Sequence, residues 1–277
     1  MTVDSADAAV GFESSSDRPS CTAMLVAQLA AYAIFALVCV AGWLWGIGEA
    51  VIVVVAAAAL LAFVIAWPLR ADVVARIVAA IAGAVSIAAA ALPADILGSR
   101  GECIIIPQAS LQASPADACA ADGVLALLGT AISHWASTAL VLLALLIIGG
   151  FLRQMLREQR TELVRSLSSF VLGGVAAVGL GGWVIVARVL RQWHDLVAAQ
   201  PSGTMWAIST GSVWILCAVA IAAVAALVAM AFVSRQWWRD VAIDSPNPAP
   251  WLGFGLLPVL IFGLAAFAYA FALVTMV

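Results

Sequence analysis

The chain has 277 residues, 65% of them hydrophobic and 10% charged, with a formal net charge of -3 and a mean hydropathy of +1.14. Soluble domains are roughly half apolar and about a quarter charged, so this composition excludes an ordinary water-soluble fold. Lysine is absent, and the 12 basic residues are all arginines, spread along the chain rather than gathered into the basic patch that nucleic acid requires.

Residues 1–20 are acidic and serine-rich and are expected to form a disordered cytoplasmic tail. Asp4, Asp7, Glu13 and Asp17 against Arg18 alone do not make the basic leader of a secretory signal. A first membrane span is predicted near 22–45, closed by Trp43 and Trp45 at the headgroup level. After a turn that carries Glu49, a second span near 51–67 stops at Pro68, which lacks the backbone donor a helix needs.

Arg70, Asp72 and Arg76 mark an inner membrane edge before a third span near 73–92. Its VAAIAGAVSIAAAA run is rich in small residues, which let helix backbones approach, so this span is expected at the centre of the bundle. Residues 93–122 form the one substantial outer loop. Cys103 and Cys119 within it lie on the oxidising side and are read as a structural disulfide. Closing a loop of about 15 residues is worth roughly 3 kcal/mol in the chain-entropy model. The pair lacks the C-x-x-C spacing of redox thiols, and no histidine in the loop joins it as a metal ligand.

The apolar stretch 123–152 exceeds one upright span, so either it tilts or its first ten or so residues form a partial helix. His134 lies near that junction and is a candidate polar site; the simpler role is a ring bonded to a neighbouring serine or carbonyl. Next comes an inner arginine-rich loop, 153–165. Arg153, Arg157 and Arg160 share one helical face, and Arg165 follows. They suit either anionic lipid headgroups or a cytoplasmic protein partner.

In the fifth span, near 166–190, Gly173, Ala177 and Gly181 form a small-residue ridge for helix packing, and the row Gly174, Val178, Gly182 is a weaker copy. Residues 188–203 read as a short outer loop in which His194 and Asp195 are adjacent and so do not face each other on a helix. A sixth span near 204–233 has a more polar outer half, with Ser209, Thr210 and Ser212 around Trp214, a second candidate polar site. Arg235 and Arg239 mark its inner end. The seventh span, 251–277, contains Pro258, which is expected to kink it.

The sequence therefore predicts an all-α integral membrane protein of about seven spans, N-terminus inside and C-terminus outside, in a plasma (inner) membrane of bacterial type. Nine of the 12 arginines then fall inside. No catalytic constellation, metal site or cofactor site is legible. The expected role is a non-catalytic membrane subunit of a larger assembly, a permease-like transport component, with the lipid bilayer and another protein as partners. Two alternatives stay open. One is a membrane enzyme acting on lipid or polyprenyl carriers at the outer face through Arg191, His194, Asp195 and the cysteine loop. The other is a sensor or assembly factor that uses that loop as a receptor surface.

Overall fold

A computed structural model describes residues 21–45, 49–69, 73–92, 115–156, 163–199, 225–234 and 249–276. These residues are all-helical: α1 (Cys21–Trp45), α2 (Glu49–Ile65), α3 (Val73–Ala91), α4 (Pro115–Met155), α5 (Leu163–Ala199), α6 (Ala225–Ser234) and α7 (Pro250–Met276). No strand occurs among them. Five segments are long and apolar enough to cross a membrane: Thr22–Gly42, Val73–Ala91, Ala131–Met155, Leu167–Arg191 and Pro250–Ala268. Helices are the expected solution for such segments, because a bilayer offers their backbone groups no other hydrogen-bond partners.

Local sequence sets the helix ends. The Ala66 amide bonds to the Ala62 carbonyl at 2.9 Å, and the chain then leaves α2 at Trp67, where the following Pro68 disfavours helical backbone. At the end of α3 the Leu92 amide closes on Ala88 at 3.0 Å, one residue before Pro93. Pro115 is the first residue of α4, a position where its missing donor costs nothing. Helix α4 therefore begins inside the segment expected to be loop, and residues 115–155 form one continuous helix rather than a partial helix and a crossing. Its 41 residues span about 60 Å, twice a hydrocarbon core, so only part of it is crossing length.

Helix α5 occupies the centre. Every residue from 176 to 189 is buried, close to four turns covered on all faces, and α5 packs against α1, α2, α3, α4 and α7. This corrects the expectation that α3 would be central. The small residues of α3 lie on one face, where Ala75, Ala79, Ala82, Gly83, Ser86 and Ala90 are buried, while Val74, Ile77, Ile81 and Val85 face outward. A one-sided stripe makes an intimate neighbour of the hub, not the hub.

Glycines fix how closely the hub is approached. A side chain on Gly179 would run into the Leu260 carbonyl, one on Gly182 into the Gly263 carbonyl, and one on Gly263 into the Gly179 carbonyl. Helices α5 and α7 thus meet backbone to backbone. On another side of α5, Gly174 leaves room for Leu146 of α4.

The contacts also order the helix ends. Gly255 of α7 abuts Met24 and Ala27 of α1, and Gly253 abuts Ala66 and Pro68 just beyond α2. Gly150, late in α4, meets Leu167 and Phe170, early in α5, while Ser234, the last described residue of α6, bonds to Gln28 about two turns into α1. The helices α1 to α5 therefore alternate in direction, and the first turns of α1, α5 and α7 share one end of the bundle with the last turns of α2 and α4. Around the outside, Leu37, Val54, Leu61, Ile81, Leu140 and Leu145 are exposed. An apolar exterior on span-length helices fits a multi-pass membrane protein.

Gly263→Val should place a branched side chain against the Gly179 backbone and lower stability by at least about 1–3 kcal/mol. Gly149, which has open space where a side chain would go, is the control: Gly149→Ala should unfold at the wild-type temperature in detergent or slightly above it.

Candidate functional site

Four polar or charged residues are buried among the described residues, Gln28, Ser86, Arg188 and Ser234, and the phenol of Tyr32 is buried with them. They fall into groups that differ in how completely their hydrogen bonds are made.

The first group ties α3, α4 and α5 together. The Ser86 hydroxyl donates to the Val178 carbonyl at 2.7 Å and accepts from the Trp135 indole N–H at 3.0 Å. Gly181 makes this possible, since a side chain there would strike both the Trp135 nitrogen and the Ser86 hydroxyl. Phe267 of α7 packs on the Trp135 ring with centroids 4.6 Å apart. Each polar atom in this chain has a partner, so its role is to fix helix positions.

Arg188 completes a second tie. Residues 188–199 are helical, part of α5 rather than the outer loop read from sequence, and Arg188 is only 7% exposed. Its guanidinium donates to the Ala90 carbonyl at 3.2 Å and to the Leu92 carbonyl at 2.9 Å. The last carbonyls of a helix lack partners within it and carry the negative end of its dipole. Arg188 therefore caps α3, and its charge is spent inside the fold.

The third group is unlike these. Gln28 of α1 has no exposed surface, and its Oε1 lies 2.9 Å from the Ser234 hydroxyl of α6. The same hydroxyl lies 3.0 Å from the Ala231 carbonyl, and its single proton serves one acceptor at a time. Gln28 Nε2 has no hydrogen-bond partner. Turning the amide over would exchange which end is bonded and leave the other alone. One turn further along α1, the Tyr32 hydroxyl approaches the Gln28 side chain without reaching hydrogen-bond geometry. Its ring meets Phe262 of α7 edge-on at 5.8 Å. A buried polar group without a partner costs about 1–3 kcal/mol, so this cluster is an expense the fold does not recover. It is the candidate site.

The residues singled out by sequence are distributed as follows. Gly173 of α5 lies against Trp67 and Leu69, Ala177 is fully buried beside Gly83 of α3, and Gly181 faces Ser86 and Trp135. Arg153 holds its guanidinium 6.0 Å from the Phe170 ring centroid, the outer limit of a cation–π contact. Arg165 lies in the first turn of α5, while Arg157 and Arg160 lie outside the described residues. Cys119 falls on α4, and Cys103 and Trp214 lie outside the described residues. The His134 carbonyl, not its ring, takes the local bonds, from Ser137 at 2.8 Å and Thr138 at 2.9 Å, while ring Nδ1 is buried without a partner. Along α7, the Gln28 group sits by Gly255 and Phe262, and the Trp135 group by Phe267. The structure thus does not bring His134 to Gln28. Among the described residues, no three His, Cys, Asp or Glu side chains are grouped as metal ligands.

Gln28, Ser86, Arg188 and Ser234 were not singled out as site residues by sequence. A lone amide in an apolar span was the available signal for Gln28, because polar residues inside membranes are costly to place. No protein-family model, curated protein or solved structure matches the chain.

Interhelical hydrogen bonds in bilayers average about 0.6 kcal/mol, and bonds to charged groups in proteins run at about 1.5–3 kcal/mol. Ser86→Ala should therefore lower stability slightly, and Arg188→Ala by several times more. Thermal unfolding of the two purified variants checks the order, and equal losses would contradict the cap.

Proposed function

We propose that this protein is a membrane subunit of a larger assembly, a permease-like transport component without catalytic chemistry of its own. It lies in a plasma (inner) membrane with its N-terminus inside and its C-terminus outside, crossing about seven times. The observation that carries this reading is the separation of charge from the interior. Arg76 near the start of α3, Arg153 near the end of α4 and Arg165 at the start of α5 belong to one end of the alternating bundle. Clustered arginine at one end is the pattern of a cytoplasmic face. Arg188, toward the other end, donates to the last carbonyls of α3.

The buried polar groups of the candidate site, about two turns into α1 from the arginine end, are neutral: an amide, a phenol and a hydroxyl. Ion-coupled carriers keep buried carboxylates or arginines along their path, whereas a neutral interior suits passage of uncharged cargo or a purely structural place in a complex. On this reading Arg153, Arg157, Arg160 and Arg165 form the face offered to a cytoplasmic partner and to anionic lipid. Cys103 and Cys119 close the outer segment by a disulfide.

Purification in mild detergent followed by mass spectrometry should yield a stoichiometric partner. Arg157→Glu combined with Arg160→Glu should release it while membrane insertion persists. Loss of insertion in that variant would make the arginines topogenic only, and a protein that purifies alone would discard the subunit role.

A further inference from the structure

The buried polar groups of the bundle differ in use; apart from the single nitrogens Arg76 Nε and His134 Nδ1, the unpartnered ones sit together at Gln28 and Tyr32. Ser86, Arg188 and the indoles of Trp135 and Trp183 all end on partner atoms inside the fold. The Gln28 amide has two N–H donors, and neither meets an acceptor. The Tyr32 hydroxyl beside it is likewise without a hydrogen bond. Spare polar capacity is costly inside a membrane and marks a pathway or ligand site by default.

From this juxtaposition we infer that Gln28, Tyr32 and Ser234 form a binding site for a small neutral solute bearing both hydrogen-bond donors and acceptors, of the amide or polyol class. The inference deepens the transport reading above and rests on it. Its chemistry follows from the groups present. The amide offers donors and an acceptor, and each hydroxyl offers one donor and lone pairs. Among the described residues the hydrogen bonds of this group run between neutral atoms, and an ion brought here would lack the countercharge that burial demands.

Access follows from the way α6 is held. Of its ten described residues only Ala231 and Ser234 are buried, while Val228, Phe232 and Val233 are exposed. The Ser234 hydroxyl has two acceptors within reach, Gln28 Oε1 at 2.9 Å and the Ala231 carbonyl of its own helix at 3.0 Å. Turning to Ala231 keeps the serine satisfied and frees the whole Gln28 amide for a solute. On its other side Gln28 is closed off, because Gly255 of α7 packs directly against the α1 backbone at the Met24 carbonyl and beside Ala27, so a solute would enter from the α6 side.

The test uses the full chain, with any partner it retains in mild detergent, reconstituted into vesicles. Entry of urea and of glycerol is followed by stopped-flow light scattering, and thermal unfolding is recorded alongside. Wild-type vesicles should admit at least one probe faster than protein-free vesicles. Gln28→Leu should lose that excess and Tyr32→Phe should reduce it, while both unfold at or above the wild-type temperature because each removes an unspent polar group. Equal entry into wild-type and protein-free vesicles would overturn the site, as would a Gln28→Leu variant that unfolds earlier but keeps its flux. A copurifying partner with no solute flux would sink this inference and leave the subunit reading standing; flux without a partner would do the reverse.

Discussion

Burying a helix on every face requires its neighbours to come unusually close, and in this bundle the requirement falls on α5. Residues 176–189 have no outward side, so five other helices must find room around them. Lipid tails are as apolar as leucine, and burial from water supplies no attraction between helices once they are in a bilayer. What remains is close packing, and the distance of closest approach is set by the smallest residue on each side. Gly179, Gly182 and Gly263 bring α5 and α7 together, and Gly83 admits α3. Large side chains then fill the spaces between, as where Phe35 of α1 stacks on Trp183 at 5.1 Å.

Once the helices are this close, polar groups that would be expendable elsewhere become positional. Ser86 is small enough to sit in the α3–α5 contact and polar enough to accept from Trp135, so one residue serves both packing and registry. Arg188 does the same at the far end of α3, where its guanidinium is held by two carbonyls. The Trp183 indole, bonded to the Val259 carbonyl at 3.0 Å, fixes α7 in the same way one residue after Pro258.

Much of this architecture was legible in the sequence because it depends on local pattern. Helix existence followed from apolar length, and the ends of α2 and α3 from Pro68 and Pro93. Less legible was anything that depends on which face meets which neighbour. Two glycine rows on α5 were visible, but Gly179, which meets α7, belonged to neither. Only the structure shows its counterpart to be the Leu260–Gly263 stretch. The α3 stripe was read as centrality because composition does not reveal that its bulky residues share one face. Arg188 looked like a loop residue because a charge at the end of an apolar run signals an edge. Its acceptors come from a segment nearly a hundred residues earlier, and no periodicity within α5 encodes them. The Gln28–Ser234 contact is harder still, since it joins residues 206 apart in sequence.

The same logic explains why the least satisfied polar groups lie where they do. Around α5 the neighbours are held by close approach, backbone to backbone for α7 and through packed side chains for α1 and α4, so a polar group there is costly unless matched. Helix α6 has no such lock among the described residues; it touches α1 through a serine whose hydroxyl has a second acceptor on its own helix. Exchanging one neutral hydrogen bond for another changes little free energy, because each replaces a partner of similar strength. Separating a buried ion pair would strand a charge and cost several kcal/mol. A neutral cluster where α6 meets α1 is thus a place in this bundle where partners can be traded without disturbing the packed centre.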